Sequence, residues 1–407
     1  MAVAQRKFVI IGGGLAGAKA AEALREQGFD GRITLIGGEP HRPYERPALS
    51  KDYLTGKADR DSLFVHPEGW YADHDVELLL GVAATGLDRR SHRVELADGS
   101  ALDYDKLLLA TGAAPRTLRI PGADAPVVRY LRRIEDSESL KDVLSGASRL
   151  AVIGAGWIGL EVTAAARQAG VAVTVLEAAR LPLLRVLGPE VAAIFSTLHH
   201  DHGVDLRFGV TVREITSAGV RLGDGDEIAA DAVLVGIGAV PDVRLAQQAG
   251  LHVDNGIVVD ASLRTSDPDI VAVGDVANAF HPLLNERIRV EHWANARKQP
   301  TVAATTMLGR HAAYEELPYF YTDQYDLGME YVGFVKPNGY DQVVFRGDVA
   351  AREFIAFWLK GDRVLAGMNV NIWDVNGPIK ELIRTGRSVD PRALADPGQP
   401  LSLLAAP

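Results

Sequence analysis

Phe8-Val9-Ile10-Ile11-Gly12-Gly13-Gly14-Leu15-Ala16-Gly17 is the stretch that decides the fold. Four apolar residues read as a buried strand, and glycines spaced G-x-G-x-x-G follow at once. That spacing suits a strand-to-helix turn. One glycine makes the tight turn, one lets the backbone approach a pyrophosphate, and one lets the helix pack on the strand. The helix N-terminus then offers free N–H groups and partial positive charge to phosphates. A helix-like stretch from Ala18 to Gln27 ends at Gly28. Arg32-Ile33-Thr34-Leu35-Ile36 reads as the next buried strand, with Glu39 just beyond it.

The pattern occurs a second time. Leu150-Ala151-Val152-Ile153 leads into Gly154-Ala155-Gly156-Trp157-Ile158-Gly159. Leu160 to Gln168 reads as a helix ending at Gly170, Val171 to Leu176 reads as a strand, and Glu177 follows directly. An acid at that place accepts hydrogen bonds from ribose hydroxyls and repels a 2′-phosphate. Glu177 therefore predicts NADH over NADPH, with Arg180 and Arg185 close enough in sequence to soften the preference. A lone glycine fingerprint is weak evidence. Two of them, each with its strand, helix and acid, imply two dinucleotides held at once and electron traffic between a nicotinamide and a flavin.

The chain contains no cysteine. This excludes a disulfide relay, a cysteine-sulfenate peroxidase and a cysteine-ligated cluster within it. A flavoprotein of this kind must pass electrons directly to an outside acceptor. The net charge of −10 argues against a nucleic-acid partner. An acidic protein acceptor would need a local basic patch, for which Arg287, Arg289, Arg297, Lys298 and Arg310 are candidates. The four-residue apolar run before Gly12 is too short for a signal-peptide core, and no apolar run is long enough for a bilayer. These readings predict a soluble, cytoplasmic monomer or homodimer with no membrane partner.

The predicted fold is α/β: two Rossmann-like dinucleotide-binding domains and a C-terminal α+β domain with an antiparallel sheet. Leu107-Leu108-Leu109-Ala110-Thr111-Gly112 closes the first fold as an apolar strand running into a small-residue turn. Val233-Leu234-Val235-Gly236-Ile237-Gly238 is its sister in the second. Past the turn Asp254-Asn255-Gly256, the segment Ile270-Val271-Ala272-Val273-Gly274-Asp275 delivers Gly-Asp at a strand's C-terminal end. Ligands sit at such ends in open α/β sheets. The second fold therefore reads as inserted in the first, giving 1–115 with 246–319, then 116–245, then 320–407. In the last domain Glu330 to Val335, Gln342 to Arg346, Glu353 to Leu359 and Arg363 to Met368 alternate as antiparallel strands. A helix is expected from Pro378 to Arg384, stopping at Gly386, and a loose proline-rich tail after it. The run His199-His200-Asp201-His202 ends a helix that starts near Pro189. Adjacent histidines diverge on a helix, so no metal site is assigned.

Several stretches carry a family resemblance. Pro43-Tyr44-Glu45-Arg46-Pro47-Ala48-Leu49-Ser50-Lys51 is close to P-Y-x-R-P-P-L-S-K. Thr265 to Asp275 matches a second FAD motif, and Glu291-His292-Trp293-Ala294-Asn295-Ala296-Arg297-Lys298-Gln299 matches E-x-W-x-N-A-x-x-Q. Gly159-Leu160-Glu161 matches the G-L-E after a second fingerprint. On these residues, and over nearly its whole length, the chain resembles the FAD-dependent NADH–ferredoxin reductases that serve Rieske oxygenases and cytochromes P450, whose fold is like that of glutathione reductase. Three departures stand out. Gly38 occupies a place where the family often has an acid, leaving Glu39 as the ribose ligand. Pro300 predicts a bend in the helix after Trp293. Tyr319-Phe320-Tyr321-Thr322-Asp323-Gln324-Tyr325 lacks the usual tryptophans, and Met368 to Asp374 is closer to apoptosis-inducing-factor-like members.

The resemblance implies FAD and NADH as cofactors. It assigns Lys51 and Glu161 to the place where nicotinamide meets flavin, Lys51 stabilising negative charge on the reduced flavin. For FAD the candidates are Gly12, Gly14, Leu15, Ala16, Gly17, Glu39, Arg46, Lys51, Val82, Ala110, Thr111, Gly112, Asp275 and Trp293. Arg46 is assigned to the pyrophosphate and Asp275 to the ribityl chain. For NAD they are Gly154, Gly156, Trp157, Ile158, Gly159, Glu161, Glu177, Arg185 and Gly238. The expected partner is a ferredoxin-type iron–sulfur protein. Two readings stay open beside it: another acceptor such as rubredoxin, a quinone or a small metabolite, and an apoptosis-inducing-factor-like NADH sensor with slow turnover.

Overall fold

A computed structural model of the chain describes residues 5–405. Its residues divide into two compact units. One comprises 5–45, Arg60–Ala114 and Val240–Pro318; the other comprises Arg46–Asp59, Pro115–Ala239 and 319–405.

The first unit is built on a five-stranded parallel sheet. Its order is Ile270–Ala272, Lys106–Leu109, Lys7–Ile11, Arg32–Gly37, Val76–Leu80. Parallel strands covered on both faces read as continuous apolar runs rather than alternating ones. Phe8, Val9 and Ile10 are all buried, as are Leu107, Leu108 and Leu109. Each such leucine contributes about 1.5–3 kcal/mol by leaving water. The helix Leu15–Glu26 buries the small residues Ala16, Ala18, Ala20, Ala21 and Ala23. Short side chains let the helix Trp293–Met307 pack directly against it. That second helix continues through Pro300 to Met307, so the proline does not end it. Phe8 and Phe29 stack with ring centroids 3.9 Å apart.

The second unit repeats the parallel sheet in the order Asp205–Phe208, Ala172–Glu177, Arg149–Ile153, Ala232–Val235, Val128–Arg129. It adds an antiparallel sheet ordered Tyr319–Gln324, Leu327–Gly333, Arg363–Val370, Glu353–Lys360, Gln342–Asp348. Alternation predicted four of these strands and missed Tyr319–Gln324. The strand Glu353–Lys360 does not alternate at all: Phe354 to Leu359 are each at most 2% exposed, because both faces are covered. The helix Asn376–Thr385 ends at Gly386 with φ +58°, the left-handed stop that its sequence announces.

The expected loose tail is corrected by the structure. Pro391–Ala395 is a short helix whose N-cap, Asp390, accepts from the Arg392 N–H. Leu394 is wholly buried. The Arg346 guanidinium donates to the carbonyls of Leu394, Asp396, Pro397 and Gln399. Prolines that read as breakers serve here as a helix start and a turn, and one arginine gathers the carbonyls they leave unpaired.

The segment Arg46–Asp59 is anchored within the second unit. Arg46 donates to the Arg132 carbonyl, Ser137 Oγ to the Leu49 carbonyl at 2.8 Å, and Tyr53 Oη to Glu138 at 2.8 Å. The Lys141 ammonium lies 3.4 Å from the Tyr53 ring centroid. These anchors fix Ser50 and Lys51, which lie between them.

Candidate functional site

In the first unit the three fingerprint glycines meet three different surroundings. Gly12 has φ +128°, and a Cβ there would lie 2.1 Å from the Ala110 carbonyl oxygen. A Cβ on Gly17 would lie 2.0 Å from the Gly12 oxygen, so helix and turn touch there. Around Gly14 a Cβ would meet nothing within 4 Å. Gly14 is the N-cap of the helix, with no side-chain cap and no acid in the first turn. An open, uncapped helix N-terminus under partial positive charge is a cradle for a pyrophosphate.

Around that cradle stand the other candidates of this unit. Tyr44 Oη donates to Glu39 Oε2 at 2.6 Å, orienting the acid at the end of its strand. Gly81 N–H donates to the Glu39 carbonyl and Val82 N–H to the Gly37 carbonyl. Ala110 N–H donates to the Ile11 carbonyl, and Thr111 Oγ1 to the Asp242 carbonyl at 2.6 Å. Gly112 has φ +70° and accepts at its carbonyl from Asp242 N–H. Gly274, next to Asp275, has φ +75°, and a Cβ there would lie 3.3 Å from Ala16 Cβ. The Gly274 N–H donates to Gln299 Oε1 at 2.7 Å, within the buried interior. Trp293 Nε1 donates to Glu45 Oε2 at 2.8 Å, and the Arg297 guanidinium lies 4.9 Å from its ring centroid. Gly274-Asp275 is thus tied to the helix carrying Trp293 by a buried glutamine, a role that the sequence reading had not given Gln299.

The second unit repeats the cradle. A Cβ on Gly154 (φ +102°) would lie 2.4 Å from the Gly236 oxygen, and one on Gly159 would lie 2.3 Å from the Gly154 oxygen. Gly156 is the uncapped N-cap, with the Gly236 oxygen 3.9 Å from such a Cβ. Glu177 closes its strand, and its carboxylate accepts from the Ala155 and Ala179 N–H groups, both at 2.8 Å. Leu183, in the left-handed region at φ +53°, donates its N–H to the Ala155 carbonyl and so ties the segment carrying the exposed Arg185 to the fingerprint turn. Gly238 has φ +103° and accepts from Arg116 N–H. Ile158 is 43% exposed on the first turn of the helix, whereas the Trp157 ring packs against Phe195 and Phe320, with centroids 5.6 and 5.1 Å away.

The same unit holds a buried ion pair. Lys51 Nζ lies 2.8 Å from Glu161 Oε1, with the two side chains 14% and 6% exposed. Ser50 Oγ donates to Glu161 Oε2 at 2.5 Å, and Thr322 Oγ1 donates to Glu161 Oε1 at 2.5 Å. Three donors converge on one carboxylate, and a buried pair is favourable only when its remaining lone pairs are satisfied this way. Lys51 Nζ also lies 5.2 Å from the Tyr321 ring centroid. Asp323, nearby, has its pKa raised, chiefly by burial; Lys51 opposes the shift and Glu161 adds to it. Ser50 and Thr322 were not singled out in the sequence. Ser50 stood inside the L-S-K stretch as a silent member, and Thr322 lay in the strand that alternation missed.

In the basic stretch Arg287, Arg297, Lys298 and Arg310 are exposed; Arg287 donates to the Val259 carbonyl, Arg289 pairs with Glu291, Lys298 with Glu316, and Arg310 donates to the Gln27 carbonyl. Among the described residues no group of three or more histidines and acids stands where a metal ion would bind, and no helix is long and apolar enough to cross a membrane.

Two uncapped glycine cradles, each at the C-terminal edge of a parallel sheet, together with an antiparallel C-terminal sheet, define a class: flavoproteins that couple a pyridine nucleotide to a bound flavin. A family model described as pyridine nucleotide-disulphide oxidoreductase matches residues 6–300, and one described as reductase C-terminal matches residues 319–405. Rhodocoxin reductase of Rhodococcus erythropolis is 43% identical over 404 residues, covering 98% of this chain and 94% of that protein. The ferredoxin–NAD(+) reductase component of the anthranilate 1,2-dioxygenase system of Burkholderia cepacia is 42% identical over 395 residues, covering 96% and 97%. A chain in the crystal structure of the covalent putidaredoxin reductase–putidaredoxin complex matches with a TM-score of 0.93 at 40% identity, covering 99% of this chain and 98% of that one. The chain belongs to the pyridine nucleotide-disulphide oxidoreductase family, and within it to the FAD-dependent ferredoxin reductases of oxygenase and cytochrome P450 systems. Having no cysteine, it carries no disulphide chemistry of its own.

Proposed function

We propose that this protein is a cytoplasmic NADH-dependent reductase that delivers electrons singly to a [2Fe–2S] ferredoxin feeding a cytochrome P450 or Rieske oxygenase. The observation that carries the reading is the pair of open glycine cradles, at Gly14 and at Gly156, in one cysteine-free chain. Bound FAD supplies the conversion of a two-electron donor into single electrons. Gly12, Gly14 and Gly17 hold its pyrophosphate at the helix N-terminus; Glu39, oriented by Tyr44, takes the adenosine ribose; Asp275, set by Gln299 through Gly274, takes the ribityl chain. Gly154, Gly156 and Gly159 hold the NADH pyrophosphate, and Glu177 takes the ribose hydroxyls and disfavours a 2′-phosphate. Lys51 presents a positive charge where negative charge develops, and Glu161 keeps that ammonium in place. No side chain has to act as general acid or base for hydride movement, and positioning carries the acceleration. The names of the relatives support a ferredoxin as acceptor.

The test is stopped-flow mixing of FAD-loaded protein with NADH, then turnover with ferredoxin, rubredoxin and quinone in parallel. The flavin band should bleach within the catalytic timescale, and ferredoxin should give the highest turnover. A flavin that stays oxidised would sink the reading, and faster turnover with rubredoxin or quinone would replace the acceptor.

A further inference from the structure

Behind Glu161 the second unit holds a file of side chains that hydride positioning, as described so far, does not use. Its direction can be worked out atom by atom. Thr322 has one hydroxyl proton, and the 2.5 Å bond to Glu161 Oε1 uses it. Its oxygen must therefore accept the next bond, from Gln324 Nε2 at 3.3 Å. This orients the amide so that Gln324 Oε1 faces His199 Nε2 at 2.8 Å, and that nitrogen must carry the ring proton. His199 Nδ1 is left with a lone pair, and Tyr325 Oη lies 3.3 Å from it as donor. Every dipole in the file thus points toward one carboxylate oxygen.

Burial makes the direction matter. Thr322 and Gln324 are 1% exposed and His199 is 0% exposed, so water cannot replace a lost partner. Burial also lowers the His199 pKa to about 4, against a smaller opposing contribution from Gln324, and keeps the ring neutral. The neighbouring titratable groups are His202 and Tyr325 beside the ring, and Lys51 and Asp323 beside Glu161. An amide in the middle of the file has no labile proton to pass on. The file therefore orients charge and does not conduct protons.

We propose that His199 and Gln324 are positioning residues for the reductase reaction: through Thr322 they hold the Glu161 carboxylate, and with it the Lys51 ammonium, in one orientation. This rests on the reading that Glu161 and Lys51 serve the hydride step. Aligned donors polarise one another, so the loss of a distant one weakens the last. One residue lies on the helix Leu184–Asp201 and the other on the strand Tyr319–Gln324, so the C-terminal sheet takes part in setting the charge beside the nicotinamide.

The test compares His199→Phe, which removes the donor but keeps a ring, with His199→Gln, which keeps an N–H at similar reach. Gln324→Leu interrupts the same file from the sheet side and serves if a histidine variant fails to fold. Two readouts are taken on FAD-loaded protein: the limiting rate of flavin reduction by NADH, and the ¹³C chemical shift of the Glu161 carboxyl carbon at one pH without NADH, assigned by Glu161→Gln. His199→Phe and Gln324→Leu should slow flavin reduction about five- to tenfold with the NADH dissociation constant within about twofold, and should move the Glu161 carboxyl resonance. His199→Gln should restore both readouts. Equal effects of Phe and Gln at 199, or a Glu161 carboxyl resonance that neither variant moves while the wild-type flavin does bleach, would overturn the positioning role alone. A wild-type flavin that NADH leaves oxidised would overturn the reductase reading with it.

Discussion

The two cradles share one geometry and differ in how each holds its acid. At Gly12 and Gly154 a Cβ would collide with a strand-end carbonyl, and at Gly17 and Gly159 with the turn itself. Glu39, however, is oriented by a side chain outside the fingerprint, Tyr44. Glu177 is bonded to the backbone of its own fingerprint turn at Ala155 and to Ala179. The glycines are therefore a common device for admitting a pyrophosphate, and the acids are where the sites diverge. In the first site the acid can be loosened without touching the turn. In the second, the acid proposed to select the cofactor is also bonded to the turn proposed to bind it.

The largest effects should come from breaking what the cradles share. Gly12→Ala forces a left-handed residue into the Ala110 carbonyl, adding about 1–3 kcal/mol of backbone strain to about 1–3 kcal/mol of overpacking. Gly14→Ala meets no protein atom, so the apoprotein should melt close to wild type and yet fail to retain FAD. Gly154→Ala and Gly156→Ala should divide in the same way, with flavin kept and the NADH response lost. Calorimetry of the apoproteins and the flavin band of purified material read both halves. If Gly12→Ala and Gly14→Ala destabilised the apoprotein equally, the division of labour among the glycines would be wrong.

That division was legible in the sequence because glycine spacing reports backbone geometry directly. So did the closing strands at Leu107–Leu109 and Val233–Val235, whose apolar runs match a sheet buried on both faces. Side-chain convergence was less legible. Lys51 and Glu161 could be proposed as a pair through a family resemblance, but Ser50 and Thr322 reach the same carboxylate from segments far apart in sequence, and no local pattern encodes that meeting. Gln299 was quoted in a motif without a role, because only the folded helix brings it to the Gly274 N–H. The C-terminal tail was misread for a related reason. Its prolines signalled looseness, while Arg346, about fifty residues earlier, supplied the order.

A smaller effect separates the two units by pH. Burial lowers the pKa of His199 to about 4 in the second unit and of His292 to about 3 in the first, from 6.5 for a free ring. Between pH 6.5 and those values the unfolded chain binds a proton that the folded chain refuses. The stability present above pH 6.5 is therefore lost as pH falls toward the folded value. For His199 the full loss is about 3 kcal/mol. His199→Gln should flatten the acid limb of melting temperature against pH, most visibly between pH 6 and 4.5, and should leave the His292 contribution in place. Parallel limbs for wild type and variant would mean that His199 does not set the acid sensitivity.

The acids themselves should give the smallest and most discriminating effects. Glu177→Ala removes the acceptor of two N–H groups at a half-buried position, where water can enter. The stability cost should therefore stay near about 1 kcal/mol. The ratio of kcat/KM for NADH over NADPH should fall by about tenfold, since a ribose acceptor and a repulsive charge leave together. Tyr44→Phe is milder. The ring is 1% exposed, and phenylalanine fills nearly the same volume, so packing is kept while the donor to Glu39 is lost. Glu39 remains able to accept from a ribose, but it loses one of the contacts that orient it beforehand. That cost belongs to binding, at about 0.5–1.5 kcal/mol, so FAD should leave a few-fold faster while NADH selectivity stays unchanged. Flavin fluorescence on dilution measures the first, and paired NADH and NADPH kinetics the second. If Tyr44→Phe shed FAD as completely as Gly14→Ala, the acid of the first site would be as much a part of its turn as Glu177 is of its own, and the contrast between the two cradles would collapse.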